Sequence, residues 1–282
     1  MSTKTLKPTK THAKKIIELL KHGLTSGVGK PEPGKMCVEA AVCYAMGLPH
    51  GDDPKCVGEA VRAFKIKLND CAWPDKMARA EGMKRLAVAQ LGSDALDQME
   101  FGRLMYLRGI HKVLPFIWRK EIEKCPESKR GEMMAHIEAM EACVDFESAE
   151  RIAKSASAYA YASASAYAYA SASAYAYASA SASASASASA SAYAYAYASA
   201  YAYAYASAYA YAYASAYASA YASAYASASA YAYAYASASA YASTSTSASA
   251  YRHDLLKLIA QVGLDCLIEM KSPGCKWLSL CE

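Results

Sequence analysis

SASAYAYASASAYAYA, residues 155–170, opens a tract on which the reading of the whole chain turns. From Ser155 to Tyr251 the chain is written in Ala, Ser and Tyr, with Ala at nearly every even position and only Thr244 and Thr246 interrupting. The tract holds no Lys, Arg, Asp, Glu, His, Gly, Pro or Cys. It therefore has no acid, base or metal ligand for chemistry, and its role is mechanical or adhesive before it is chemical.

Strict alternation is the signature of a strand, because it places all Ala on one face and all Ser and Tyr on the other. On a helix the same pattern scatters Tyr around the cylinder and leaves no face to bury. Tyr161, 169, 177, 193, 201, 209, 217, 225, 233 and 241 recur every eight residues, with Ser185 the one gap. Taken in sixteens, Tyr161, Tyr177, Tyr193, Tyr209, Tyr225 and Tyr241 form an unbroken column. Fixed periods mark solenoids, whose coils stack on one another. The expectation is a stacked β, solenoid-like repeat with Ala inside and a Tyr column outside. A long Ala-rich helix is the alternative. Ala is the best helix former, and mixing it with Ser and Tyr costs only about 0.2–0.4 kcal/mol per residue. Disorder is the third reading.

Outside the tract the composition is that of an ordinary globular protein. All 30 basic and 25 acidic residues lie there, and the formal net charge of +5 is interleaved with acids rather than gathered into a basic stripe. That argues against nucleic acid as a partner. No apolar h-region follows the basic start, and the tract is too rich in Ser for a membrane span, so neither export nor a membrane is expected. Nine irregularly spaced cysteines then read as reduced thiols in a cytoplasmic protein.

Residues 1–154 read as an all-α head. Thr11 is a candidate cap for a helix carrying Ile16, Ile17, Leu19 and Leu20, which ends at Gly23. A second helix spans Met36 to Ala45 and stops at Gly47. A third follows Val57, Val61, Phe64, Ile66 and Leu68, and a fourth runs from Asp75 to about Gly92. Asp94 to Lys124 reads as one long helix broken or kinked at Pro115. Amphipathic pieces at about Glu127–Val144 and Phe146–Lys154 lead into the tract, and Trp73 and Trp118 are the expected core anchors. Residues 252–282 form a short helical cap rich in Leu and Ile. Such a helix is unstable alone and must dock on the head, on the repeat or on a second chain. The chain is thus expected to be α+β: a head (1–154), a β repeat (155–251) and a cap (252–282).

Three constellations invite a chemical reading. Gly23-Leu24-Thr25-Ser26-Gly27-Val28-Gly29-Lys30-Pro31 imitates a phosphate loop, but five residues separate Gly23 from Gly29-Lys30 and Pro31 replaces the hydroxyl. A helix end and loop account for it better. Cys37, Cys43, His50 and Cys56 lack the short knuckle that structural zinc requires, so no metal and no cofactor is expected. Glu39, His50, Asp52 and Asp53 offer an acid–base cluster with Cys37 or Cys56 as nucleophile, though nothing in the spacing brings them together. His111 reads as a surface or satisfied residue.

Met36-Cys37-Val38-Glu39-Ala40-Ala41, Gly47, His50, Asp52, Pro54-Lys55-Cys56-Val57, Phe64 and Asn69-Asp70 resemble a set of uncharacterised bacterial and phage-associated proteins. These pair a helical head with an Ala-rich low-complexity segment and a short helical tail. The resemblance implies that architecture and carries no activity or site with it. More loosely, the Ala/Tyr-rich middle is similar to immunity proteins of bacterial toxin systems, whose Ala-rich stretches contain Asp that this tract lacks. The reading that follows is a non-enzymatic structural or interaction protein with no cofactor. The Tyr column would contact a protein partner or a second copy. A toxin-neutralising partner and an enzyme using the loop His50–Cys56 are the alternatives.

Overall fold

The computed structural model describes residues 7–122, 127–149, 151–152, 155 and 246–282. Helix α1 (Lys10–Leu20) starts at Thr9 rather than Thr11. Thr9 lies in extended backbone after Pro8, its hydroxyl accepts from the His12 amide, and its own amide donates to His12 Nδ1. That reciprocal pair satisfies two donors that a helix start leaves open. Helix α2 (Val38–Met46) is capped by the Cys37 thiol, which accepts from the Ala40 amide, and it ends at Gly47. Helix α3 (Glu59–Asp70) follows Gly58, and α4 (Lys76–Ala89) is capped by Asp75.

Helix α5 (Gln98–Arg108), capped by Asp97, continues without a break through a π-helical segment (Gly109–Val113) into α6 (Leu114–Glu121). Pro115 has no amide hydrogen and its ring crowds the carbonyl one turn earlier. The chain meets this with one widened π turn, in which the Leu114 amide donates to the Gly109 carbonyl. The expected break at proline is thus a local change of helix type. Helix α7 (Glu127–Glu141) folds back on α6 and buries Met133, Ile137 and Met140. Arg119 grips Glu141 with two parallel hydrogen bonds of 2.8 and 2.7 Å across that pair.

Helix α8 (Thr246–Glu269) and the 3-10 helix Pro273–Cys281 complete the described chain. The expected docking of the tail is resolved in favour of the head. Helix α8 packs against α3, α4, α5 and the π segment, and the 3-10 helix packs against α1 and α4. Leu255, Leu256, Ile259, Val262, Leu264, Cys266 and Leu267 are each 2% exposed or less. Burying an aliphatic side chain of this size contributes roughly 1.5–3 kcal/mol, so the helix gains its stability from the head. Trp73 and Trp118 are buried in the same continuous core, which takes in both Ala149 on one side of the tract and Leu255 on the other.

The expected α+β class is corrected. Among the described residues there is no strand; the one β feature is an isolated antiparallel bridge between Gly29 and Met36. Where the described residues reach into the tract, at Ser155 and at Thr246–Tyr251, the backbone is helical. The β-solenoid is therefore not carried by the tract's described ends. The alternation Thr246-Ser247-Ala248-Ser249-Ala250-Tyr251 simply continues the helix anchored by Leu255 and Leu256. Once a helix is nucleated, each added residue gains a hydrogen bond, and Ala and Ser cost it little. The proposed column of Tyr161, Tyr177, Tyr193, Tyr209, Tyr225 and Tyr241 lies outside the described residues.

Candidate functional site

Helices α2, α3 and α4 bring three polar side chains together in the middle of the core. Glu39 of α2, Lys65 of α3 and Gln90, which ends α4, are each fully buried. Lys65 Nζ lies 3.2 Å from Glu39 Oε1, and Gln90 Nε2 donates to Glu39 Oε2 at 3.3 Å. Glu39 Oε1, Lys65 Nζ and Gln90 Oε1 otherwise have no well-aligned hydrogen bond. Loss of water pushes the Glu39 carboxyl up and the Lys65 ammonium down, both toward neutrality, while their mutual attraction opposes each shift. The 3.2 Å ion pair sets the attraction of the two groups against the desolvation of each.

Lys65 reached this position by helical spacing. Val61, Phe64, Lys65 and Leu68 lie on one stripe of α3 and are all buried, whereas Ile66 is only half-buried. Gln90 occupies the same stripe of α4 as Met83, Leu86 and Ala87. The available signal was position rather than residue type, since i, i+3 and i+4 share a face. Hydrophobicity points to Ile66, which is half-buried, and not to Lys65, which is fully buried.

A second polar layer ties the glycine-rich loop to this body. Asn69, 1% exposed, accepts from the Val38 amide at 3.2 Å and donates to the Thr25 carbonyl at 2.9 Å. Arg79 donates to the carbonyls of Asn69 and Leu24, both at 2.8 Å. Asp70 accepts from the Gly27 amide at 2.7 Å. The Thr25 amide donates to the Met36 carbonyl, and the Lys30 amide to that of Lys35. The amides of Thr25, Gly27 and Lys30 are thus bonded within the protein.

The residues of the proposed acid–base cluster are not brought together. Glu39 faces Lys65 and Gln90 in the interior. His50, on the loop after α2, has Nε2 3.0 Å from the Gly29 carbonyl oxygen. Asp53 pairs with Lys55 and Arg62, and hydrogen bonding from Lys55 is the main cause of its lowered pKa. Cys56 is buried and donates to the Met46 sulfur at 3.1 Å. Burial pushes Cys37 and Cys56 up to about 11 and Cys43 up to about 12, so none of them is a thiolate near neutral pH. His111 is half-buried in the π segment.

Among the described residues no group of three or more His, Cys, Asp or Glu could hold a metal ion. No helix among them is long and apolar enough to cross a membrane. The Glu39–Lys65–Gln90 cluster gives a substrate no opening. It joins three helices through a contact that sliding any one of them would break, leaving a buried charge unpaired. Comparison of the chain with protein-family models, curated proteins and solved structures finds no match.

Proposed function

We propose that this is a non-enzymatic interaction protein, in which a helical body presents residues 156–245 to a protein partner or to a second copy. The observation that carries this reading is the shared core of the two flanks. Ala149 before the tract and Leu255 after it are both fully buried in one hydrophobic cluster. The uncharged tract is therefore an insertion that leaves one body and returns to it. Its tyrosines supply large, amphipathic contact area with few rotamers to freeze. Tyr161, Tyr177, Tyr193, Tyr209, Tyr225 and Tyr241 are the proposed contact residues.

Two further features support a binding role over a catalytic one. The carboxylate and thiols of the head's possible chemistry, Glu39, Cys37 and Cys56, are buried. Two charges of the loop from His50 to Cys56, those of Asp53 and Lys55, are engaged in ion pairs. The buried, unpaired thiols at Cys37, Cys43, Cys56, Cys71, Cys143, Cys266 and Cys281 suit a reducing compartment. We assign the protein to the cytoplasm, with neither nucleic acid nor membrane as its partner and with no cofactor.

Replacing the six tyrosines with Ser in the full chain tests the reading. Sedimentation velocity and pull-down should show weakened association, while the thermal midpoint of the helical body stays where it was. Unchanged sedimentation together with an unchanged set of bound proteins would overturn it.

A further inference from the structure

The tail, residues 246–282, buries its apolar side chains in the body and is joined to it through about 90 residues, 156–245. We propose that the groove filled by α8 and the 3-10 helix also accepts the same segment from a second copy, so that the protein forms tail-exchanged oligomers.

The groove is specific for this segment. Gly263 lies against the Phe64 ring, and Gly274 lies against the Val88 carbonyl, where an added Cβ would come within 2.3 and 2.2 Å respectively. The Ser272 hydroxyl donates to the Ala89 carbonyl at 2.5 Å, and the His253 ring meets Trp73 edge-on at 6.0 Å. The charges also complement one another. Arg108 pairs with Asp265 and Glu269, and Lys112 lies 3.1 Å from Asp265. The body supplies the cations and the tail the carboxylates. Each of these contacts joins a residue before the tract to one after it, so each is reproduced unchanged when the tail comes from another molecule. Exchange therefore costs no contact, which is the general reason that swapping is an accessible route to oligomers.

What favours a chain's own tail is only its local concentration near its own groove. Effective concentration is of the order of millimolar for a short connection and falls roughly as the −3/2 power of length. Above that effective concentration a neighbour's tail competes on equal terms. Fully extended, such a connection would reach roughly 300 Å, so distance between two bodies sets no bar.

The test uses the full chain and a contact already present. Chains with light and heavy nitrogen are mixed in equal amounts, unfolded together and refolded at about 1 to about 500 µM. A carbodiimide is then added. It activates the Asp265 carboxyl, and the Lys112 amine displaces the activating group to leave an amide with no added atoms. The joined Lys112–Asp265 peptides are read by mass spectrometry. Exchange predicts peptides of mixed isotope that are scarce at the lowest concentration and approach half of the product at the highest. Matched isotopes at every concentration overturn the proposal. The within-chain pair Lys35–Glu32, 2.7 Å apart and three residues apart in one loop, serves as the control. Mixed isotopes there as well would mean unspecific contact between surfaces, which also overturns it. The inference does not depend on the tyrosines. In the six-fold Tyr→Ser chain the mixed product should persist, so failure of the contact role assigned to the tyrosines and failure of tail exchange give different results.

Discussion

The ring of Phe64 on α3 lies directly on the backbone of Gly263 on α8, leaving no room for a methyl group between head and tail. A Cβ on Gly263 would stand 2.3 Å from Phe64 Cε1 and 2.8 Å from Cζ, and Phe64 is fully buried with no free direction to move. In an unconstrained helix, Gly→Ala stabilises by up to about 1 kcal/mol. Here we expect the opposite sign. Gly263→Ala should destabilise the protein by about 1–3 kcal/mol through overpacking, read as a lower urea midpoint. In a Phe64→Leu background the same change should cost far less. Equal costs in both backgrounds would show that the ring and the glycine are not coupled.

The buried pair Glu39–Lys65 predicts opposite pH profiles for its two single variants. Removing one partner of such a pair is expected to cost about 3–5 kcal/mol. In Glu39→Leu, Lys65 loses its counter-charge and its folded pKa falls further below the usual 10.5. Between that depressed value and 10.5 the unfolded state binds the proton more tightly, so stability falls as pH is lowered through this window. In Lys65→Met, Glu39 is raised further above 4.5. Stability is then fullest below 4.5 and falls as pH rises toward the folded value. Denaturation curves across pH should show the two opposing slopes. Parallel slopes would place the charges outside the core.

The described cysteines should react in order of burial. Cys71 and Cys266, pushed up to about 12 by burial, and Cys37 and Cys56, pushed up to about 11, stay protonated at pH 8. Timed alkylation followed by peptide mapping should modify Cys275, the half-exposed one, well before these. In denaturant all should react alike. Because the folded thiols have raised values, their contribution to stability is present below the unfolded value of 9.0 and is lost as pH climbs above it. Early native labelling of Cys56 would revive the nucleophile reading of its loop.

Arg79 holds the glycine-rich loop by its geometry more than by its charge. One guanidinium reaches the carbonyls of Asn69 and Leu24 at once. Arg79→Lys keeps the charge but offers a single donor point in place of a planar fork. We expect it to cost about 1–2 kcal/mol, as one buried carbonyl is left unpaired. Amide hydrogen exchange should accelerate at Thr25 and Lys30, whose bonds close the loop. Exchange unchanged at both would show that Asn69 and Asp70 anchor it without Arg79.

Much of the head was legible in the sequence because local rules govern it. Asp75 caps α4, Gly47 ends α2, and Trp73 and Trp118 are core anchors, as side-chain oxygen, backbone freedom and bulk require. The helix start at Thr9 was misplaced by two residues, since Thr9 and Thr11 offer the same hydroxyl and only the extended backbone at Thr9 chooses between them. The buried polar cluster was not legible at all. Lys65 and Gln90 belong to types that usually face water, and their burial depends on three helices meeting over them.

The strict alternation of the tract pointed to strands because period two is a statement about one segment in isolation. At its described ends the same pattern is helical, for there the chain runs on from helices anchored elsewhere. The sequence by itself determined the helical head, the turn positions and the absence of charge between residues 155 and 251. Only the tertiary structure decided that the head and the tail are one body, that α8 lies against Phe64, and that Glu39 meets Lys65. Local patterns report how a segment can bury a face. They do not report which distant segment buries it, because that contact exists only once both have folded.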